Sequence, residues 1–483
     1  MKLIYKVGDK PNFGQLIIFA IQQLLAIMAA TLVVPINVSS AVAKIEGLTD
    51  PEMSPAAALV GAGIGTLVYV LFTRRKSPVF LGSSFAFIPS MVAAFAGATT
   101  SVALGYLGLV IGAALAGLVY VIISIVVKFA GTRWIDKLMP AVVIGPTVAI
   151  IGLGLAGSAV GQLQSANGPG DYRIAILVGL VTLAVTMLFS VYGKRLGKLI
   201  PFILGILSGY IFATVLTVVG NLANIDALKI IDFSAFSNLL TDGHITVKTF
   251  VDLPDFTFLK AFGAFGELSG SYFATVAMAY VPVAFVVFAE HLADHKNLST
   301  VIGSDLTKEP GLHRTLLGDG VGSIAGALVG GAPNTTYGES IACVAITGNA
   351  SVATIITAAI LAIGIGFINP FVAFVNTIPL CVMGGVCMAL YGFIAVSGLK
   401  MVQKVNLGEN RNLFVVSVIL IAGIGGLTVS FFDDTIKITT VACALILGIL
   451  TNLMLSGKKE EDPNPEQDPD PEAKQDSDQE PKQ

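Results

Sequence analysis

The sequence predicts an all-α polytopic membrane protein with 14 transmembrane segments in a 7+7 inverted repeat and short extended pieces in segments 3 and 10. Three observations carry this reading. Of 483 residues, 54% are hydrophobic and only 12% charged, roughly half the charged share of a soluble globular chain. The apolar residues fall in runs of about 17–25, the length a helix needs to cross the hydrocarbon layer. Third, the apolar runs are broken by Gly, Ser, Thr and Pro at matching places in the two halves. A net charge of −3 says little about partners, because the C-terminal tail dominates it.

Residues 1–14 read as a short cytoplasmic N-terminus. The first apolar run, 15–36, is too long for a signal-peptide core and lacks a small-residue cleavage site, so it reads as a retained span. The further runs are 56–73, 79–96, 102–128, 138–156, 173–192, 199–220, 269–293, 312–330, 334–347, 350–374, 379–398, 412–429 and 435–456. The polar stretch 221–268, with Asp226, Asp232, Asp242, Asp252 and Asp255, separates two sets of seven and reads as an extracellular loop. An even number of crossings puts both termini on one side. The alternate loops facing the other side hold only Lys44, Arg173, Lys229, Lys248, Lys260 and Lys437, six of the 28 Lys and Arg. The positive-inside rule then places both termini in the cytoplasm. The tail 457–483 is acidic, has no apolar residue beyond Ala473 and reads as disordered. Cys343, Cys381, Cys387 and Cys443 sit in apolar segments without a CxxC pair and read as small core residues.

An internal echo supports the division. Pro140–Gly145, "PAVVIG", opens the fifth segment, and Pro379–Gly384, "PLCVMG", opens the twelfth. The third segment of each half is the irregular one: "SPVFLGSSFAFIP" and "GGAPNTTYGESIA". Irregular backbone survives at membrane depth only inside protein or along a cavity, and matched interruptions in an inverted repeat point to a transporter's central site. Helices are expected to begin near Phe85 and near Gly338. If the extended pieces pair, two helix N-termini with free N–H groups meet near the midplane.

Four acids lie in or against apolar runs: Glu290, Asp294, Asp319 and Glu339. A charge there costs about 2.5–3.5 kcal/mol on insertion scales, so each needs a reason. Glu290 and Asp294 are four apart and share a helix face. Carboxyls at such depth are suited to binding and releasing protons. The bland alternative is that Asp294, followed closely by Lys296, only marks the wet end of its helix. His291 and His295 sit at i, i+4 beside carboxylates, a spacing similar to a zinc-protease motif. A catalytic zinc needs a third ligand, and the remaining histidines, His244 and His313, lie elsewhere in the sequence. The pair is read as packed or capping, with no metal, no cofactor, no enzymatic activity and no nucleic-acid partner expected.

"AEHLADH" (Ala289–His295), "PGLHR" (Pro310–Arg314), "GGAPNTTYGES" (Gly330–Ser340) and "IPLCVMGGV" (Ile378–Val386) follow in order, with "FLGSSFAF" (Phe80–Phe87) in the first half. Across residues 12–456 the chain resembles the nucleobase–ascorbate transporter family, most of all its bacterial uracil-permease branch. The resemblance implies a core domain from 15–136 and 269–376 and a gate domain from 137–220 and 377–456. It also implies proton-coupled uptake at the plasma membrane and a homodimer. Carried over by position, Glu290 and Glu339 would accept substrate N–H groups, Phe85 and Gly338 would offer backbone groups, and Tyr391 would form the gate-facing wall. Glu290, Asp294 and Asp319 would couple protons. The chain departs from the uracil branch at Asp294, where that branch carries histidine. Asp294 and Asp319 resemble the purine branch, which carries glutamine where this chain has Glu339. Gln22-Gln23 stand for the family's Gln-His, and Ser340 and Ala342 for its Asn and Gly.

The expected function is proton-coupled import of a nucleobase, with uracil first and xanthine or another purine second. An anion exchanger on the same fold is the rival, and it would want cations rather than acids in segments 3, 8 and 10.

Overall fold

The computed structural model describes residues 3–48, 51–98, 101–131, 134, 139–166, 168–194, 196–240, 244–431 and 436–456. The tail 457–483, expected to be disordered, lies outside them, as do Asp242, Arg133 and Arg195. The described chain is mostly helical. In the first half it forms α1 (Phe13–Val42), α2 (Pro55–Phe72), strand β1 (Leu81–Ser83), a tight turn at Phe85–Phe87, α3 (Ile88–Gly97) and α4 (Val102–Ala130). There follow α5 (Ala141–Gly154), α6 (Ala156–Leu163), α7 (Tyr172–Tyr192) and α8 (Pro201–Ala223). The second half forms α9 (Gly270–Ile302), α10 (Leu312–Gly330), β2 (Asn334–Thr336), α11 (Gly338–Thr347), α12 (Val352–Gly366) and α13 (Asn369–Asn376). It ends with α14 (Leu380–Val402), α15 (Asn410–Ile424), a hairpin of β3 (Val429–Phe431) and β4 (Ile436–Ile438), and α16 (Thr440–Leu455). By length and composition, eight helices among the described residues can cross a membrane: α1, α2, α4, α5 with α6, α7, α8, α9 and α14. The protein is a multi-pass membrane protein.

Local sequence explains where the helices begin. Asn12 accepts the Gln15 N–H at 3.0 Å ahead of α1, and Ser54, Ser101 and Ser269 cap α2, α4 and α9 in the same way. Pro55 and Pro201 occupy first turns, where no N–H is needed. Several boundaries differ from the sequence reading: the first helix runs on to Val42, the fifth segment continues through α6 to Leu163, and the eleventh divides into α12 and α13. Segment eight, read as 269–293, continues as α9 to Ile302. Its histidines are not part of a wet end: His291 and His295, with Leu298, turn inward and are buried, while Lys296 and Asn297 are exposed.

The helices pack as two sets. α2 lies against α10 and α12, α10 also against α4, and α9 against α4 and α3; α1 joins them through α12 and α2. In the other set, α14 lies against α5, α6 and α7, α8 against α7, and α15 against α5 and α16. α2 and α10 approach closely, and glycines make it possible. A Cβ added to Gly326 would stand 2.1 Å from Asn334 Nδ2 and 2.9 Å from the Gly61 carbonyl. Asn334 Nδ2 donates to that carbonyl at 3.1 Å, so the glycines let two helix backbones clasp β2. Gly326→Leu is therefore expected to destabilise the fold by about 1–3 kcal/mol or more through overpacking. A thermal melt of purified protein in detergent reads it, and an unshifted melt would mean that the helices separate without loss.

The residues ahead of α1 are strapped to the connection between α11 and α12. Ile4 N–H donates to the Gly348 carbonyl at 2.7 Å, and the Ala350 and Val352 N–H groups donate to the Tyr5 and Val7 carbonyls at 2.9 and 3.1 Å.

Candidate functional site

β1 and β2 pair antiparallel, with Leu81 opposite Thr336, Gly82 opposite Thr335 and Ser83 opposite Asn334. Each strand runs straight into a helix start: β1 through Ser84 into Phe85–Phe87 and α3, β2 through Tyr337 into α11. The first turn of a helix leaves N–H groups without intrahelical partners and carries the positive end of the dipole. Two such ends therefore meet at the strand pair. Gly82 is required there: a Cβ would stand 2.3 Å from the Tyr337 ring, which lies over it while its hydroxyl donates to the Ser83 carbonyl at 2.7 Å. Around the pair, the side-chain hydroxyls of Ser83, Ser84 and Thr335 are buried without a protein partner. Buried polar groups are normally satisfied, and a cluster that is not marks a place where something polar binds.

The strand pair opens onto a cavity of about 370 Å³. Phe85, Glu290, Asp294, Gly338 and Glu339 all line it, so five of the residues expected from sequence come together. Glu290 and Asp294 are one turn apart on α9. Asp294 accepts from the Thr336 hydroxyl at 2.7 Å, which ties α9 to β2. Glu339 occupies the first turn of α11, and Ser340 beside it accepts from Gln23 of α1 and, at 2.9 Å, from the Phe80 N–H. That one hydroxyl fixes α11 against α1 and the residue before β1.

The opposite wall comes from α14 and α8. Leu390, Phe393, Ile394 and Ser397 form it, with Phe202; the exposed Lys198 and half-buried Met401 line the end where the cavity reaches solvent, its mouth. Tyr391, expected on this wall, lies one layer behind it. It is buried, packs edge-on against Phe85 with ring centres 5.9 Å apart, and accepts a hydrogen bond from Asn37 Nδ2. A residue one position along from Leu390 points about 100° away on a helix, and the sequence does not say which of the two faces the cavity.

Asp319 is also absent from the lining. It is 1% exposed, and its Oδ2 lies 2.7 Å from His291 Nδ1. His291 Nε2 faces Thr315, and His295 contacts the His291 carbonyl and the Tyr69 hydroxyl through its two nitrogens. The rings stack at 4.0 Å. Every ring nitrogen of the two histidines has a protein partner, so the pair is a packed brace of α9 against α10 and α2 rather than an open ligand set. Thr336, Lys198 and the buried amides Asn37 and Gln162 were not singled out in the sequence. For the amides the signal would have been a lone Asn or Gln inside an otherwise apolar helix.

The sequence pattern of the Permease family matches residues 14–431. The chain is similar to a uracil permease of Bacillus caldolyticus, 38% identical and covering 96% of this chain and 97% of that one. A uracil permease of Bacillus subtilis strain 168 is 38% identical over 94% and 96%, and one of Escherichia coli K12 is 34% identical over 93% of each. Among solved structures, the transmembrane domain of the cyanobacterial bicarbonate transporter BicA superposes with a TM-score of 0.56 at 13% identity, covering 93% of this chain and all of that one. The murine anion transporter Slc26a9 gives 0.57 at 11% identity over 93% and 69%. At such identities the likeness is one of fold alone.

Proposed function

The chain belongs to this permease family, the nucleobase–ascorbate transporters, and on that premise we propose that it is a proton-coupled nucleobase importer taking uracil first. One observation carries the reading: two carboxylates, Glu290 and Glu339, share a cavity with two half-helix starts, at Phe85 and Gly338, and with the unpartnered Thr335 hydroxyl. Uracil presents two N–H donors and two carbonyl acceptors. The carboxylates accept from the former, and the free backbone N–H groups of the half-helices donate to the latter. A site built on such pairing rejects bases that leave its own groups unpaired.

The remaining parts of the reading follow from this assignment. Fourteen segments cross the plasma membrane as a 7+7 inverted repeat with both termini cytoplasmic, and two copies associate as a homodimer. The set α1–α4 with α9–α13 is the core domain, and α5–α8 with α14–α16 is the gate. The cavity mouth, beside Lys198 and Met401, then opens to the cytoplasm. Xanthine is the second reading, favoured by Asp294 lining the cavity where a histidine is expected for uracil. An anion substrate fits poorly: three carboxylates line the cavity, and Lys198 stands only at its mouth.

Uptake of labelled uracil, xanthine and uric acid in a transport-deficient host tests the assignment. Uracil is expected to accumulate, and a protonophore to abolish the accumulation. Xanthine uptake without uracil uptake would move the substrate to the purine branch, and insensitivity to the protonophore would remove proton coupling. In the same assay, Asp294→Asn is expected to lose accumulation against a gradient while equilibrium binding survives. Unchanged accumulation would leave Asp294 only its hydrogen bond to Thr336.

A further inference from the structure

Beyond Phe85, at the end away from the mouth, the two helix sets meet through a buried polar cluster. Asn37 of α1 donates through Nδ2 to the Tyr391 hydroxyl, and Gln162 of α6 donates through Nε2 to Asn37 Oδ1. The Cys387 thiol of α14 lies 3.5 Å from Gln162 Oε1. Asn37, Gln162, Tyr391 and Cys387 are each at most 3% exposed. Asn37 belongs to the set that carries the strand pair; the other three belong to the set that forms the opposite wall. Along α14, Cys387 and Met401 are separated by about 21 Å of helix rise, so the cluster and the mouth are at opposite ends of the cavity.

We propose that Asn37, Gln162 and Tyr391 form a breakable latch that closes the cavity at the end opposite its mouth and releases when the cavity opens there. The inference rests on the transport reading above. Its physical basis is the choice of amides and a phenol where apolar side chains would also pack. An apolar seal exposes hydrophobic surface when it parts, whereas polar groups exchange their mutual hydrogen bonds for water at small net cost. In the closed state each of these buried side chains has a hydrogen-bond partner within the cluster. Tyr391 also touches Phe85, a cavity residue, so ligand at the site and the state of the latch share one side chain.

Cys387 is a native reporter inside the latch. The test uses full-length protein with Cys343, Cys381 and Cys443 replaced by Ala, and a membrane-impermeant methanethiosulfonate applied to intact cells or to inside-out vesicles. The parent is expected to label slowly from outside. Asn37→Ala and Gln162→Ala are expected to label about tenfold faster from outside, the effect of losing a buried hydrogen bond, and to be unchanged from inside. An unchanged outside rate in both variants overturns the latch, as does acceleration confined to the inner face. Equal labelling from both faces marks unfolding and passes the decision to Tyr391→Phe, which keeps the ring against Phe85 and removes only the hydroxyl. An unmoved rate there overturns the proposal. Labelling needs no substrate, so a latch that opens in a chain that never carries uracil would sink the transport assignment alone. Normal uracil uptake with unmoved labelling would sink the latch alone.

Discussion

Glu290→Gln is expected to reduce uracil accumulation to the level of the untransformed host. The amide preserves the shape of the side chain and removes its charge. Glu290 lines the cavity one helical turn before Asp294, so it can both accept a substrate N–H and take up a proton. A glutamine does the first more weakly and the second not at all. The loss should appear in accumulation against a gradient at matched expression, and more mildly in equilibrium binding. Uptake at the wild-type rate would remove Glu290 from the site.

Glu339→Gln is expected to weaken uracil by about 1.5–3 kcal/mol, the worth of a charge-assisted hydrogen bond, or roughly 10- to 150-fold in inhibition constant. Xanthine should lose less or gain, because a carboxylate only accepts while an amide also donates, and an oxidised purine presents an acceptor where uracil presents N–H. Glu339 stands in the first turn of α11, where an acid also suits the helix dipole. If that were its whole role, both bases would weaken together. The quantity to measure is the ratio of uracil to xanthine inhibition constants, and a ratio that the substitution leaves unmoved would assign Glu339 to the helix alone.

The long apolar runs and the breaks at Gly82–Ser84 and Pro333–Thr336 were readable because hydropathy and chain-breaking residues are local properties. The same locality gave the helix starts near Phe85 and Gly338 and the acids Glu290, Asp294 and Glu339 in apolar runs, while only the resemblance to the family implied that Phe85, Glu290, Gly338 and Glu339 share one site. What sequence could not supply was which side of a helix faces which neighbour. Tyr391 and Leu390 are adjacent and differ only in facing, and Asp319 depends on His291, 28 positions away, for its surroundings. The end of α9 was missed for a related reason. Polarity after Ala289 signals water only when no partners exist, and here Asp319, Thr315 and Tyr69 supply them. Asn37 and Gln162 are 125 positions apart, and nothing local joins them.

The pairing of β1 with β2 also sets an order of manufacture. Ser83 and Tyr337 are 254 residues apart, and a ribosome adding about 5–20 residues per second needs roughly 13–50 s to travel between them. Throughout that interval the ladder groups of β1 lack their β2 partners, a costly condition wherever no water can substitute. The nascent chain must therefore borrow a partner, from the insertion machinery or from water held in the unfinished bundle, until α10 and the residues after it emerge. A message cut short before Ala332 would yield α1–α10 without the strand ladder between β1 and β2. Such a product is material for membrane quality control, and it defines the point in synthesis after which the chain is worth keeping.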